Sequence, residues 1–400
     1  MRICLITTEY PPEVYYGGIA TYTCTVARGL IALGDEVHVV AKTRAVPRHE
    51  SVEGVHLHWV GDRRPRALLP LRWLGLTTEW LVHFGRNVSR TLDDIERRFG
   101  RLDIVEAPET QAPGLWVCRR KRRPFITQLH NPGYLTRLQS GESVESTDHR
   151  LRDLMERRQT LRSTAVSAPS RVIADRVAAD WRLDGKRIRV IPHPLPPLPA
   201  VEDDSDREAT LSGKQYMLFY GRLQVLKGVH ILAQALPEVL NRFPDLHMAF
   251  VARDLPYLGG SMKGYILSCC AGLESRLVFF DKLPHERLAP FIRNAELCVL
   301  PSLWEAFQLT CLESLGLGKV TVACRGTGAE EIVEDGVSGL LAEPGSVESL
   351  KNALLRVLTM AASERAVFGE RASRRAQEFD VAKICAKRHE FYESLREGRR

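Results

Sequence analysis

The 400-residue chain has no run of apolar residues long enough to cross a bilayer. Near the N-terminus the longest uncharged stretch, Val14 to Ala27, is 14 residues and holds threonines, tyrosines and two glycines, whereas a spanning helix needs about 20 apolar residues. The apolar opening Ile3 to Ile6 runs into Glu9 and Pro11 with no small-residue cleavage site, so no signal peptide is read and a cytoplasmic location is expected. Nine cysteines include no C-x-x-C, only the adjacent pair Cys269 and Cys270, which argues against a zinc knuckle or a disulfide framework and for reduced, buried thiols. The G-x-G-x-x-G fingerprint is missing, which disfavours a nicotinamide dehydrogenase. No short internal repeat occurs. No helix-turn-helix, aromatic stacking platform or zinc module accompanies the basic residues, so nucleic acid is not an expected partner.

What is present is an ordinary globular composition, 44% apolar and 26% charged, long enough for two or three domains. The net charge of +7 is unevenly divided: residues 1–199 hold 31 basic and 22 acidic side chains, residues 200–400 hold 25 and 27. Basic residues cluster at Arg119 to Arg123 and again at Arg63, Arg64, Arg66 and Arg72, the latter interleaved with Leu68, Leu69, Leu71, Trp73 and Leu74. Such a mixture suits a solvated arginine-rich face or peripheral contact with an anionic membrane, where cations meet headgroups and Trp and Leu enter the interface.

Short β-rich runs alternate with helical patterns, which predicts parallel sheets built from βαβ units. Strands are expected at Arg2 to Thr7, Glu36 to Ala41, Val55 to Val60, Ile104 to Glu106, Phe125 to Leu129, Thr164 to Ser167 and Arg189 to Ile191, with helices at Ile19 to Leu33 and near Thr77 to Arg98. Five prolines between Pro192 and Pro199, then the acidic run Glu202 to Glu208, read as a linker. The pattern restarts with a strand at Tyr216 to Tyr220 and continues through His247 to Ala252, Leu277 to Phe280, Leu297 to Leu300, Val320 to Ala323 and Gly339 to Ala342. The expected division is a Rossmann-like α/β domain over 1–195, a linker over 196–212, a second Rossmann-like domain over 213–380 and a C-terminal helix, 381–400, crossing back to the first. Ligands of such sheets bind beyond the carboxyl ends of the strands, so two such domains facing each other put the site in the cleft between them.

Three segments carry chemistry. Gly17 and Gly18 stand directly before a helix, where backbone N–H groups and the helix terminus suit an anion; alone, the pair reads more readily as a loop needing positive φ. YGRLQVLKG puts Arg222 and Lys227 on the turn after a strand, two cations suited to a diphosphate. PSLWEAFQLTCLE sets Glu305 and Glu313 eight positions apart on and just before a helix, about 80° beyond two full turns, on neighbouring faces. Beside Glu305 the amides of Phe307, Gln308 and Leu309 are expected to point outward as a phosphate or sugar cradle. Asp204-Ser205-Asp206 copies the D-x-D of metal-dependent transferases but sits in the linker, not at a strand end, so no metal site is assigned.

Together these segments resemble the retaining glycosyltransferases of family 4, which have the GT-B fold of two facing Rossmann-like domains. The resemblance rests on the GG loop, on GRLQVLKG for the family's GRL-x-x-x-KG, on PSLWEAFQLTCLE for its PS-x-x-E-x-F-G-x-x-x-x-E, and on EEIVEDGVSGLLAEP. It covers nearly the whole chain. It implies that Arg222 and Lys227 neutralise a donor pyrophosphate, that Glu313 accepts from ribose hydroxyls, and that Glu305 binds hydroxyls of the transferred sugar. His130, in QLHNPGY, takes the place of the family's cleft histidine; Asn131, Ser167 and Ser170 line the acceptor side, and Gly17 and Gly18 border the phosphate. The implied reaction is metal-independent transfer of a hexosyl group, with retention, from a nucleoside diphosphate sugar to a glycan, lipid-linked or small-molecule acceptor, with UDP favoured and no cofactor. GDP-mannose with a soluble natural-product acceptor, another GT-B enzyme such as an epimerase, and a catalytically silent nucleotide-sugar-binding protein are the alternatives. Three departures stand out. Gln308 replaces the usual glycine and is expected to project toward the donor, His193 replaces an asparagine, and ARDLPYLGGSMKGYI replaces a glycine-rich turn.

Overall fold

The computed structural model describes residues 1–13, 17–61, 79–120, 122–140, 146–183, 188–199 and 203–397. The cluster at Arg63, Arg64, Arg66 and Arg72, with Trp73 and its leucines, lies outside the described residues, as do Lys121 and Glu202. The chain divides into two compact units, one of Met1–Pro196 with Asp380–Arg400, the other of Pro197–Phe379.

Strands of the first unit are β1 (Arg2–Thr7), β2 (Glu36–Thr43), β3 (Arg48–Val52), β4 (Val55–Gly61), β5 (Ile104–Pro108), β6 (Phe125–Gln128), β7 (Ala165–Ala168) and β8 (Ile188–Val190). They form one sheet in the order β3-β4-β2-β1-β5-β6-β7-β8. Every neighbouring pair is parallel except β3 with β4. The central strands β1, β5 and β6 are buried along almost their whole length, as strands inside a parallel sheet are. Sequence periodicity missed β3, whose residues RHESV are mostly exposed and polar. Its one signal was the Glu53-Gly54 pair, both at positive φ, which turns the chain into β4 as a tight hairpin.

Strands of the second unit are β9 (Gln215–Leu223), β10 (Leu246–Asp254), β11 (Pro256–Tyr257), β12 (Gly260–Ser261), β13 (Leu277–Phe280), β14 (Leu297–Val299), β15 (Thr321–Cys324) and β16 (Leu340–Ala342). Six of them make a parallel sheet in the order β13-β10-β9-β14-β15-β16. The remaining two, β11 and β12, form a hairpin where the glycine-rich turn was missing, with Leu258 and Gly259 at its tip. The acidic stretch read as a linker is instead partly helical, Ser205–Leu211. Asp204 pairs with Arg207 and Asp206 with Arg287, which gives both D-x-D carboxylates structural partners.

In each sheet the strand order reverses beside the first strand: β1 lies between β2 and β5, and β9 between β10 and β14. Loops leaving the two flanking strands diverge to opposite faces there, which opens a crevice at the carboxyl edge. The segments after β1, β5, β9 and β14 therefore define where each unit can hold a ligand.

The C-terminal helix, Val381–Glu397, belongs to the first unit and packs against the helix Gly18–Ala32. Gly29 permits this approach, since a methyl there would stand 2.3 Å from Cys385 Sγ. The helix also carries Arg388, wholly buried, into the interior. Its guanidinium donates to Glu106 Oε2 at 2.8 Å and to Gln128 Oε1 at 3.2 Å. Tyr392 and Tyr22 donate to the same Glu106 carboxylate at 2.7 and 2.6 Å. Removing one partner of a buried pair strands the other charge at a cost of about 3–5 kcal/mol. Arg388→Met should therefore lower stability to urea by that amount, and adding Glu106→Gln should restore more than half of it; equal stability of the two variants would show that the pair is not coupled.

Candidate active site

In the second unit β9 extends three residues beyond its expected end, so Arg222 stands in the last turn of the strand and not in the following loop. It remains exposed at the carboxyl edge. Lys227 closes the 3₁₀ turn Val225–Lys227, ahead of the helix Val229–Arg242. Gly228 between them adopts φ 66°, and a Cβ there would fall 1.8 Å from the Pro301 carbonyl oxygen. Only glycine lets this turn lie against the Pro301–Ser302 loop after β14. The Leu303 amide donates to the Leu226 carbonyl at 2.9 Å and fastens the two loops.

This contact delivers Lys227 to Glu305, and the ammonium pairs with Glu305 Oε1. Burial, with the Arg222 charge second, pulls the Lys227 ammonium down to about 7. Glu305 lies in the irregular segment before the helix Leu309–Gly316, and its own carbonyl accepts from the Gly328 amide at 2.8 Å. Ser302 Oγ reaches the Glu305 carboxylate at 3.5 Å.

Two expectations about this segment are corrected. Gln308 does not project outward: it is buried, and its Nε2 donates to the Leu300 carbonyl at 3.2 Å and to Ser302 Oγ at 3.1 Å. A side chain amide in place of glycine thus braces the loop from within. The Leu309 amide is not directed outward either, because it donates to the Phe307 carbonyl at 3.2 Å, and Phe307 itself is buried near Phe379. Glu313 lies on the helix, nearly buried, with His285 Nε2 3.8 Å from its carboxylate. Burial raises its pKa and the His285 charge opposes the shift.

In the first unit Gly17 caps the helix Gly18–Ala32 in extended conformation. A methyl on Gly17 would lie 2.0 Å from Glu9 Oε2, so a carboxylate of the chain itself reaches this helix start. His130 follows β6 and is buried against Tyr22, edge-on at 4.9 Å, and His193 at 5.2 Å. Tyr22 touches both imidazoles and stands on the Arg388–Glu106 network. Burial, with the Arg388 charge second, holds His130 down at about 3, and the same causes lower His193 together with His130 itself. Both rings are neutral at physiological pH.

Sequence reasoning missed the residues that shape this loop. Glu109, after β5, accepts from the amides of His130 at 2.8 Å and Asn131 at 2.6 Å. Glu156, on the helix Thr147–Arg162, accepts from the amides of Gln111 and Gly133, each at 2.9 Å. Asn131 Nδ2 then donates to Thr136 Oγ1 at 3.0 Å. The two carboxylates lie 21 to 45 positions from the amides they hold, a separation no local pattern reveals. Ser167 and Ser170, expected on the acceptor side, are buried and have internal work: Ser167 donates to Gln128 at 2.6 Å, and Ser170 caps the helix Arg171–Trp181.

Sequence models of known families match two stretches, Glycosyltransferase Family 4 over residues 16–197 and Glycosyl transferases group 1 over residues 214–360. The chain is 32% identical over 371 residues to a D-inositol 3-phosphate glycosyltransferase of Acidothermus cellulolyticus, covering 86% of this chain and 78% of that one. It is 25% identical over 372 residues to an uncharacterized glycosyltransferase of Methanocaldococcus jannaschii, covering 90% and 89%. Among solved structures it resembles sucrose-phosphate synthase from Thermosynechococcus elongatus, with TM-score 0.76, 20% identity and 98% of each chain covered. It also resembles Anabaena HepE in complex with UDP and glucose, with TM-score 0.67, 20% identity and 98% and 100% covered.

Burial and the nearby Glu156 charge raise Glu109 from 4.5 to about 8, against the pull of its amide donors. A carboxyl raised on folding contributes stability below its unfolded pKa and loses it as pH rises through the folded value. Glu109→Gln keeps one acceptor and cannot ionise, so its stability deficit relative to the wild type should narrow between pH 4.5 and 8. Urea midpoints measured across that range check this; a constant deficit would mean that Glu109 is ionised throughout.

Proposed function

Because the chain belongs to glycosyltransferase family 4 and is a glycosyltransferase of GT-B fold, we propose that it transfers a hexosyl group, with retention and without a metal ion, from a nucleoside diphosphate sugar to a glycan, lipid-linked or small-molecule acceptor. The observation that carries the reading is the Arg222, Lys227 and Glu305 constellation, fixed by the Gly228–Pro301 contact at the strand-order reversal of the second sheet.

Arg222 and Lys227 bind the diphosphate of the donor. Glu313 takes the ribose hydroxyls, and Glu305, beside Lys227, takes hydroxyls of the sugar. UDP is the favoured nucleotide; a neighbour of the same fold was solved with UDP and glucose. The acceptor oxygen attacks the anomeric carbon on the face from which the diphosphate leaves; its proton passes to the departing phosphate oxygen as the new glycosidic bond forms. Cations preorganised at the diphosphate stabilise the charge that develops there, the role a metal plays in other transferases. His130, a neutral imidazole, takes the role of the catalytic histidine that the family resemblance implies. The basic first unit suits an anionic acceptor or one embedded in an anionic membrane, and the reaction belongs on the cytoplasmic side.

Calorimetry with UDP tests the donor site. Arg222→Ala and Lys227→Ala should each weaken binding by about 2 kcal/mol, the worth of a charge-assisted contact. An anion favours protonated Lys227, so wild-type affinity should fall as pH rises above about 7 with proton uptake on binding. Unchanged affinity in both variants would overturn the assignment.

Sugar transfer followed by NMR tests the chemistry. The anomeric configuration of the donor should persist in the product, transfer should survive excess EDTA, and His130→Ala should lower kcat while sparing UDP affinity. An inverted product, or a loss on EDTA treatment that magnesium restores, would refute the mechanism; UDP-sugar binding with neither transfer nor donor hydrolysis would leave only a nucleotide-sugar-binding protein.

A further inference from the structure

The helix Glu79–Phe99 and the short helix Leu115–Cys118 of the first unit enclose a cavity of about 230 Å³ lined by Arg86, Ser89, Arg90, Trp116 and Arg120. Its electrostatics are unbalanced. Arg86 and Arg119 each stand 4.8 Å from the centre of the Trp116 ring. Among the described residues neither of them, nor Arg90, pairs with a carboxylate; Asp93 is engaged by Arg120 and flanked by Arg122 and Arg123. Arg86 and Arg90 are also four apart on one helix, a spacing at which like charges repel.

A second observation is independent of charge. The indole N–H of Trp116 is buried and has no hydrogen-bond partner. A buried donor left unsatisfied is destabilising. The indole is seated against Gly85, where a methyl would meet Trp116 Cδ1 at 2.9 Å. Glycine inside a helix is destabilising relative to alanine, so the sequence gives up helix stability at the position that admits this ring.

We propose that this cavity is a binding site for a phosphate group. Unpaired guanidiniums offer forked N–H donors to phosphate oxygens, and the Ser89 hydroxyl and the Trp116 indole N–H supply neutral donors. A phosphate neutralises two of the positive charges, where a carboxylate neutralises one. The phosphate belongs to a phosphorylated acceptor or to an anionic lipid headgroup. That it is the acceptor's rests on the transferase reading, whereas binding itself does not.

The test is calorimetric titration of inorganic phosphate into the full chain carrying Arg222→Ala, so that the donor loop does not contribute. Adding Arg86→Gln and Arg90→Gln, both exposed and tolerant of exchange, should weaken binding about tenfold or more, the equivalent of about 1.4 kcal/mol. Trp116→Phe, which keeps the ring and loses only the N–H, should weaken it about threefold. Equal affinity in all three proteins, or no phosphate binding to the parent, overturns the site. Sedimentation with phosphatidylcholine vesicles containing phosphatidylglycerol separates the sources. Association lost in the double arginine variant identifies a headgroup, and phosphate binding without vesicle association identifies a soluble phosphorylated molecule. Because UDP affinity and sugar transfer are read separately, a failure here leaves the transferase reading intact, and a failed transferase reading leaves phosphate binding measurable.

Discussion

A guanidinium with no exposure to water must be met by fixed negative charge, and the placement of Arg388 answers to that requirement. The residue lies near the end of the chain, yet its partners Glu106, Gln128, Tyr22 and Tyr392 draw together two strands of the first sheet and two helices. A GT-B chain that leaves its second unit at Phe379 and returns to the first at Asp380 needs a reason for the last helix to stay docked. Apolar packing supplies most of that attachment, and the buried pair makes it specific, because any other seating leaves a charge unsolvated. The same network holds Tyr22 between His130 and His193, two imidazoles that burial keeps neutral, with the Arg388 charge acting in the same direction.

The junction of the loops after β9 and β14 depends on backbone proximity more than on charge. Gly228 against the Pro301 carbonyl and Gly328 against the Ala306 carbonyl leave no room for a side chain, with Cβ positions 1.8 and 2.3 Å from the oxygens. Those approaches bring Lys227 and Glu305 together from positions 78 apart. Gln308 completes the arrangement from beneath. In this chain a glutamine amide stabilises a loop by side-chain hydrogen bonds.

Much of the architecture was legible before any coordinates. Parallel strands in βαβ order betray themselves by uniform apolar runs, and the motifs around Arg222, Lys227, Glu305 and Glu313 have fixed spacings that local geometry preserves. The exposed strand Arg48–Val52 escaped because an edge strand with polar faces has no hydrophobic period. The helix Ser205–Leu211 escaped because an acidic, proline-flanked segment reads as a linker until Arg207 and Arg287 are seen to pair with it.

The sequence by itself determined the fold class, which follows from periodicity, and the family, whose resemblance rests on the contiguous motifs that hold Arg222, Lys227, Glu305 and Glu313. Tertiary structure alone decided which side chains act on one another across the chain. Glu109 and Glu156 gather the His130 loop, Ser167 and Ser170 turn inward, and Gln308 folds under the segment it was expected to crown. The physical reason is common to all of them. A buried polar atom must find a partner wherever the packed fold provides one, and the distance in sequence to that partner is not encoded in any local pattern.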